Sequence, residues 1–422
     1  MADRLPARVP HTPPPPGRAS GARAPKDYSP FTPGQPVPPE FFVGRQTEIQ
    51  SLLDRIAAAA QGRLQTVFLT GERGIGKSSL AAFAHVVAER NHQMLGLHTF
   101  MGGVDTLEEM ARRVFDRLLK ESAGQGWWER VREFFGNRVR EVGLFGVSLE
   151  FGASPEELRR LVQDFAPALR NLKHRLGEGH RGILLILDDI NGLAELPAFA
   201  NWLKSLVDEI ATAAAPLPLC LALVGLEDRR RSLIELQPSL ARVFDLIEIR
   251  PWSDDETRDF YRKTFEKVGI RVEREAEATL ARFAGGLPVL AHEIGDAVFK
   301  ADADGVIGFD DAQRGLMVAA DVVGRKHLQP EVFRALRSTR YRSILRKLAR
   351  RQLTPDFRRG ELIRELSEDE RKVLDNFLRK SKSLGVLESD DEAGPGAYRF
   401  RNELHRLYLM LEAARAQRGP AA

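Results

Sequence analysis

Residues 69–85, LTGERGIGKSSLAAFAH, decide how this chain is read. The preceding QTVFLT (65–70) has the length and apolar character of a buried strand. The following KSSLAAFAHVVAER (77–90) spaces Leu80, Phe83, Val86 and Val87 along one helical face. Between them, Gly71-x4-Gly76-Lys77-Ser78 has the spacing of a phosphate-binding P-loop. Glycines let backbone N–H groups converge on phosphate oxygens, and the helix turns its positive end toward them. Gly71, Gly74, Ile75, Gly76, Lys77, Ser78 and Ser79 are therefore the candidate nucleotide-binding residues of this loop. Lys77 is expected to reach the β- and γ-phosphates, and the Ser78 hydroxyl to ligate Mg²⁺.

A nucleotide site needs a second anchor for magnesium, and GILLILDD (182–189) supplies it. Its unbroken apolar run suits a strand covered on both faces. Asp188 ends that strand, so its carboxylate is expected at the sheet edge beside the P-loop as a magnesium ligand. Asp189 follows and is the candidate for orienting or deprotonating an attacking water. Lys77 and Asp189 are thus the candidate catalytic residues, with Mg²⁺ and ATP or ADP the implied cofactors.

The chain has 422 residues, 43% hydrophobic and 29% charged, enough for two or three packed domains. Its single cysteine, Cys220, excludes an internal disulfide framework and suits a reducing cytoplasm. The longest apolar run, residues 213–226, holds two prolines and is too short for a membrane span, and MADRLPARVP lacks the apolar core of a signal peptide. The nine histidines and the cysteine show no metal-ligand spacing. The net charge of +4 is uneven: residues 1–40 carry five Lys/Arg against three Asp/Glu, and residues 331–422 carry 21 against 14. The middle then holds 4 − 2 − 7 = −5. A basic tail on an acidic body hints at nucleic-acid contact.

Residues 1–40 include twelve of the 24 prolines and read as a disordered or polyproline arm, although Tyr28 and Phe31 could dock on the body. Residues 41–252 alternate strands and helices, with further strands at 94–100, 217–225 and 244–252; the fold class is α/β, a parallel sheet flanked by helices. A Trp/Phe-rich insertion occupies about 123–155. Trp127, Val131, Phe134 and Phe135 share a helical face there, and Val147, Leu149 and Phe151 alternate as a strand. That stripe is either buried under the excursion or a partner surface. SDDE (253–256) is a capping box that opens a helical segment, 253–329. Residues 330–422 read as three helices and a hairpin around a Gly/Pro turn, the outline of a winged helix-turn-helix, with SEDERKVLDNFLRKSKSLG (367–385) as its recognition helix.

FFVGRQTEIQSLL (41–53) resembles the start of the nucleotide domain in AAA+ ATPases of the origin-recognition (archaeal) type and in STAND ATPases. The resemblance runs from about residue 29 to the end of the chain. It implies a P-loop NTPase sheet with a helical lid and a winged helix, and it makes Val43, Gly44 and Arg45 candidate nucleoside contacts. LLILDD carries paired aspartates, and GGLPVLAHEIG (285–295) is similar to the STAND Gly-x-Pro motif, whose proline packs on the nucleotide. Pro288 carries that role over, beside its plain role as a helix-starting proline. No Asn or Thr follows Gly225 where a first sensor is expected; Arg229 or Arg231 could substitute, or form a solvated basic cluster. Arg242 takes, by position alone, the place of the arginine that reaches a neighbouring subunit's γ-phosphate in AAA+ assemblies, which would make the chain a homo-oligomer. The alternative is an arginine paired within its own helix. Three functions fit: an ATP-driven switch that assembles on duplex DNA, a signalling or defence switch run by a protein partner, and a nucleotide-binding scaffold without turnover.

Overall fold

The computed structural model describes residues 28–35, 45–142, 148–326, 328, 336, 338–350 and 356–418. Most of the expected disordered arm, and Val43 and Gly44, lie outside the described residues.

Five parallel strands form the central sheet in the order β2 (Met94–Phe100), β5 (Gly182–Asp188), β6 (Leu219–Val224), β1 (Gln65–Gly71) and β7 (Asp245–Ile249). Two-residue periodicity divides each apolar run between the faces. Leu184 and Ile186 pack with α1 (Gln46–Ala60) and α2 (Lys77–His92). Ile183, Leu185 and Leu187 face the opposite core, with α3 (Leu107–Ser122), α6 (Phe165–Leu176) and α7 (Pro197–Thr212). All seven residues of β5 are buried, as a strand roofed on both sides requires.

The insertion joins the second of these cores. In α4 (Trp128–Phe135), Val131 and Phe135 are buried, and Phe135 meets Phe115 and Phe151 edge-on or tilted. A hairpin, β3 (Val139–Val142) with β4 (Ser148–Phe151), and α5 (Pro155–Gln163) complete it. The aromatic stripe is therefore core, and Val147 lies outside the described residues. After β6, α8 (Glu227–Leu236) leads toward β7.

The lid helices are α9 (Asp254–Glu266), α10 (Arg274–Ala284), α11 (Pro288–Ala301) and α12 (Phe309–Val323), with a small parallel pair β8 (Arg271–Val272) and β9 (Val306–Ile307). Ser253 and Glu256 form the expected capping box on α9. The last segment runs α13 (Thr339–Arg350), β10 (Asp356–Arg358), α14 (Arg359–Glu365), α15 (Glu368–Arg371), α16 (Leu374–Ser383), β11 (Leu387–Ser389), β12 (Ala397–Phe400) and α17 (Glu403–Arg418). Helix, strand, helices and hairpin is winged-helix order. Two details correct the sequence reading. The sheet has three strands, because β10 adds to β12, and the helix at 367–385 breaks after Arg371 into α15 and α16.

One hydrophobic core runs through the lid and the last segment, joining Phe260, Leu290 and Leu316 to Phe377, Leu404 and Tyr408. Those elements share a single packed interior. Phe31 is inserted into it, 3% exposed, edge-on to Phe265 at 4.8 Å and Phe260 at 5.8 Å. Burying that side chain contributes about 2 kcal/mol. Tyr28 remains 64% exposed.

Candidate nucleotide site

The P-loop leaves β1 at Gly71 and enters α2 at Lys77. Gly74 has φ +78, and a Cβ there would lie 2.5 Å from Val289 Cγ1, so only glycine fits. Ile75 is fully buried and fixes the loop to the core under α1 and α2. Lys77 Nζ donates to the carbonyls of Gly71 at 3.0 Å and Glu72 at 2.7 Å. Burial pushes its pKa down to about 8, against the opposing pull of Asp188 and Asp189. The ammonium is thus held near two carboxylates at the strand ends.

Asp188 closes β5 with 1% exposure. His98 on β2 places Nε2 2.9 Å from Asp188 Oδ2. Register brings them together: β2 and β5 pair Phe100 with Asp188 and His98 with Ile186. Asp189 adopts a left-handed φ of 59° at the exposed sheet edge, a conformation short polar residues tolerate. Asn191 Nδ2 donates to Asp189 Oδ1, while Asn191 Oδ1 accepts from Leu226 N–H at 3.2 Å. Asn191 thereby ties the end of β5 to the segment after β6, where a first sensor was expected. Ser78 and Asp188 offer oxygen donors that suit a small hard cation, and the Ser78 hydroxyl makes no hydrogen bond among the described residues.

The lid forms the opposite wall. Gly286 packs on Trp252, whose N–H donates to its carbonyl at 2.9 Å, and Leu287 caps α11. Pro288 is the first residue of α11, where a missing N–H costs nothing. Val289 N–H donates to Gly74 O at 3.3 Å. The helix N-terminus and the P-loop are therefore in direct contact, and Pro288 lines a cavity of about 300 Å³ with Gly76, Lys77, Ser78, Ser79 and Phe100. The last segment reaches the loop as well: Arg401, just after β12, pairs with Glu72, and Arg282 of α10 pairs with Glu403 at 2.8 Å.

Arg45 lies behind the cavity rather than in it. Its guanidinium donates to Arg250 O and, at 3.2 Å, to Ile75 O, and burial lowers its pKa. It clamps the P-loop to the end of β7. Arg229 pairs with Glu195, and Arg230 and Arg231 pair with Glu227, so this basic cluster is spent on neighbouring carboxylates. Arg242 ends a short 3-10 helix, is exposed and makes no ion pair among the described residues. Val67 pairs with Asp245 and Gly71 with Ile249, so Arg242 sits at the far end of β7, roughly 20 Å along the strand from its own P-loop.

His98, Asn191 and Thr32 are site residues that sequence reasoning missed. His98 left one trace, a polar residue inside the apolar MLGLHTF.

A family model for the AAA ATPase domain matches residues 42–221. Those residues are an AAA ATPase domain. Among solved structures, the chain is similar to a Walker-type ATPase of Pyrococcus abyssi at 18% identity and TM-score 0.53, covering 88% of this chain and 96% of that one. It is also similar to the ORC2 protein of Aeropyrum pernix in its ADPNP-ADP complexes, at 15% identity and TM-score 0.56, covering 94% and 98%. At these identities the likeness establishes a shared fold, and it extends beyond the AAA ATPase domain through the lid and last segment. The sequence matches no curated protein. No helix among the described residues is long and apolar enough to cross a membrane.

Proposed function

We propose that the chain binds and hydrolyses Mg-ATP at the P-loop and uses the nucleotide state to move its lid and winged helix, which engage duplex DNA. The observation that carries this reading is the continuous core joining lid and winged helix, contacting the P-loop at Val289 and Arg401. A change at Gly74 or Glu72 is then felt by the whole C-terminal body. Lys77 holds the β- and γ-phosphates by charge, and the P-loop amides hold them by hydrogen bonds. Bound at Ser78 and Asp188, Mg²⁺ would neutralise charge on the same phosphates. His98 orients the Asp188 carboxylate. Asp189, steadied by Asn191, takes the proton of the attacking water. Pro288 faces the nucleoside, with Arg45 framing the loop from behind; the resemblance adds Val43 and Gly44 as nucleoside contacts. Arg242 cannot reach its own site from the far end of β7; in a homo-oligomer it reaches a neighbour's γ-phosphate, and its lack of an ion pair supports that reading.

The DNA-facing side is α16, where Arg379 and Lys380 are exposed. Two carboxylates of the 367–385 stretch, which would repel phosphates, are held by cations: Glu370 of α15 binds Lys347 at 2.7 Å, and Asp375 of α16 binds Arg359 at 2.8 Å. The wing arginines are spent internally, Arg399 on Glu388 and Arg401 on Glu72. Fluorescence anisotropy with duplex DNA tests the reading. Binding that weakens steeply with salt, differs between ATP and ADP and drops in Arg379→Ala/Lys380→Ala supports it; no binding at low salt removes DNA as the partner. A protein-regulated switch is the second reading, favoured by Pro288 and Arg401 meeting at the P-loop. It predicts tight ADP retention and no DNA binding.

A further inference from the structure

The wall facing Lys77 is completed by a segment from the other end of the chain. Thr32, Gly34 and Gln35 line the same cavity as Lys77, Pro288 and His292. They form a defined turn. Gln35 N–H donates to Thr32 O at 3.3 Å, Pro33 sits at the second position, and Gly34 has φ +72 at the third, as a type II turn requires. The turn is anchored at both levels. Phe31 fills the lid core against Gly295, where a Cβ would overlap its ring. Thr32 N–H donates to His292 Nδ1 at 3.1 Å.

Two polar atoms of this wall have no partner. Thr32 Oγ1 and His292 Nε2 are both buried without a hydrogen bond. Because His292 Nδ1 accepts a hydrogen bond, the neutral ring carries its proton on Nε2. Buried groups of this kind are normally satisfied; both atoms are shielded from solvent, so a ligand meets them only where the wall shifts to uncover them. The Gln35 side chain is exposed, and its amide offers an acceptor beside a donor. Every group on this wall is neutral, His292 included, since burial lowers its pKa to about 4. Neutral donors and acceptors suit a base and a sugar. Phosphates belong at Lys77.

We propose that the Thr32–Gln35 turn is a nucleoside-recognition element, in which the Gln35 amide reads adenine while the Thr32–His292 hydrogen bond holds the turn on the lid. Adenine presents an amino donor next to a ring-nitrogen acceptor, which a glutamine amide matches with two hydrogen bonds. Guanine presents two acceptors on the corresponding edge, which the amide cannot match. The proposal rests on the reading that the P-loop holds nucleotide phosphates.

The test measures dissociation constants of the full-length chain for ATP, GTP and inorganic tripolyphosphate. Gln35→Ala is expected to weaken ATP about tenfold, as loss of two hydrogen bonds to the base does, while changing GTP less than twofold and tripolyphosphate not at all. Gln35→Arg, offering two donors, is expected to shift preference toward GTP. Phe31→Ala, which frees the turn from the lid, is expected to weaken ATP at least as much as Gln35→Ala, with retained tripolyphosphate binding showing that the P-loop domain is folded. If ATP and GTP affinities stay within twofold of wild type in both Gln35→Ala and Phe31→Ala, the proposal is overturned and the P-loop reading stands. If wild-type protein binds neither ATP nor tripolyphosphate, the P-loop reading falls and takes the proposal with it.

Discussion

On the sheet side of Lys77, Asp188 and His98 are buried on adjacent strands of one ladder, and Asn191 fixes Asp189 within three residues of the strand end. On the lid side, Thr32, Pro288, Val289 and Arg401 come from three distant segments; Thr32 lines the cavity, and the others touch the loop through a hydrogen bond, a glycine contact and one exposed ion pair. The sheet side is stiff because its groups are set by strand register. The lid side is held by contacts each worth on the order of 1 kcal/mol or less, which binding energy can make or break. Chemistry that needs fixed distances belongs on the first. Sensing of nucleotide state, which needs a movable partner, belongs on the second.

Substitutions should separate the two sides, with the largest effect on the sheet. Asp189→Asn is expected to lower ATP turnover at least 100-fold with ATP affinity within threefold of wild type, because an amide cannot take the proton. Equal turnover, followed by phosphate release, would move the base elsewhere.

At the interface between the sides, Gly74→Ala is expected to weaken nucleotide binding by tenfold or more. It strains a φ of +78 and pushes against Val289. Adding Val289→Ala should recover part of that loss, since it removes the clash and leaves the strain. No recovery in the double variant means that the lid contact is not what Gly74 protects.

The Lys77 ammonium gives a pH signature. Its pKa is lowered to about 8 without phosphates, which favour the charged form. Affinity for ATP is therefore level below pH 8 and falls above it, by about tenfold between pH 7 and pH 9. For stability the sign is opposite: between pH 8 and the lysine's ordinary 10.5 the unfolded chain binds more protons, so this residue's contribution to stability rises with pH. ATP affinity that stays level to pH 9.5 would show that Lys77 is not the group that meets the phosphates.

The smallest effect belongs to Arg401→Ala. Both partners of the pair with Glu72 are more than a third exposed, so the expected change is a two- to threefold faster nucleotide release by stopped flow. An unchanged release rate would leave Arg401 out of the coupling.

The sheet side was the legible one. LTGERGIGKSS and LLILDD state a strand, a glycine loop and a terminal carboxylate in single short stretches, and the capping boxes at Ser253 and Ser367 mark their helices. The His98–Asp188 contact was hidden because it depends on the register between strands that are ninety positions apart. Asn191 was overlooked because the first-sensor role was sought after β6, while the side chain arrives from β5. The lid side was nearly illegible. In the proline-rich arm the isolated Phe31 marks a docking residue, but not its seat over Gly295 nor the meeting of Thr32 with His292, since those contacts exist only once the lid has folded. Helix 367–385 was read as unbroken because its charge pattern is continuous, whereas Val373 and Leu374 turn inward to pack and end the first turn.

The central claim is that the loop at Gly71–Ser78 holds Mg-ATP between these two walls. Calorimetric titration of the full-length chain with Mg-ATP tests it most directly. The account predicts one saturable site per chain in the wild type, and in Lys77→Ala a loss of affinity of at least 100-fold with the folded state, read by circular dichroism, unchanged. Wild-type protein that takes up no Mg-ATP at millimolar concentration, or a Lys77→Ala variant that binds it as the wild type does, would contradict the account.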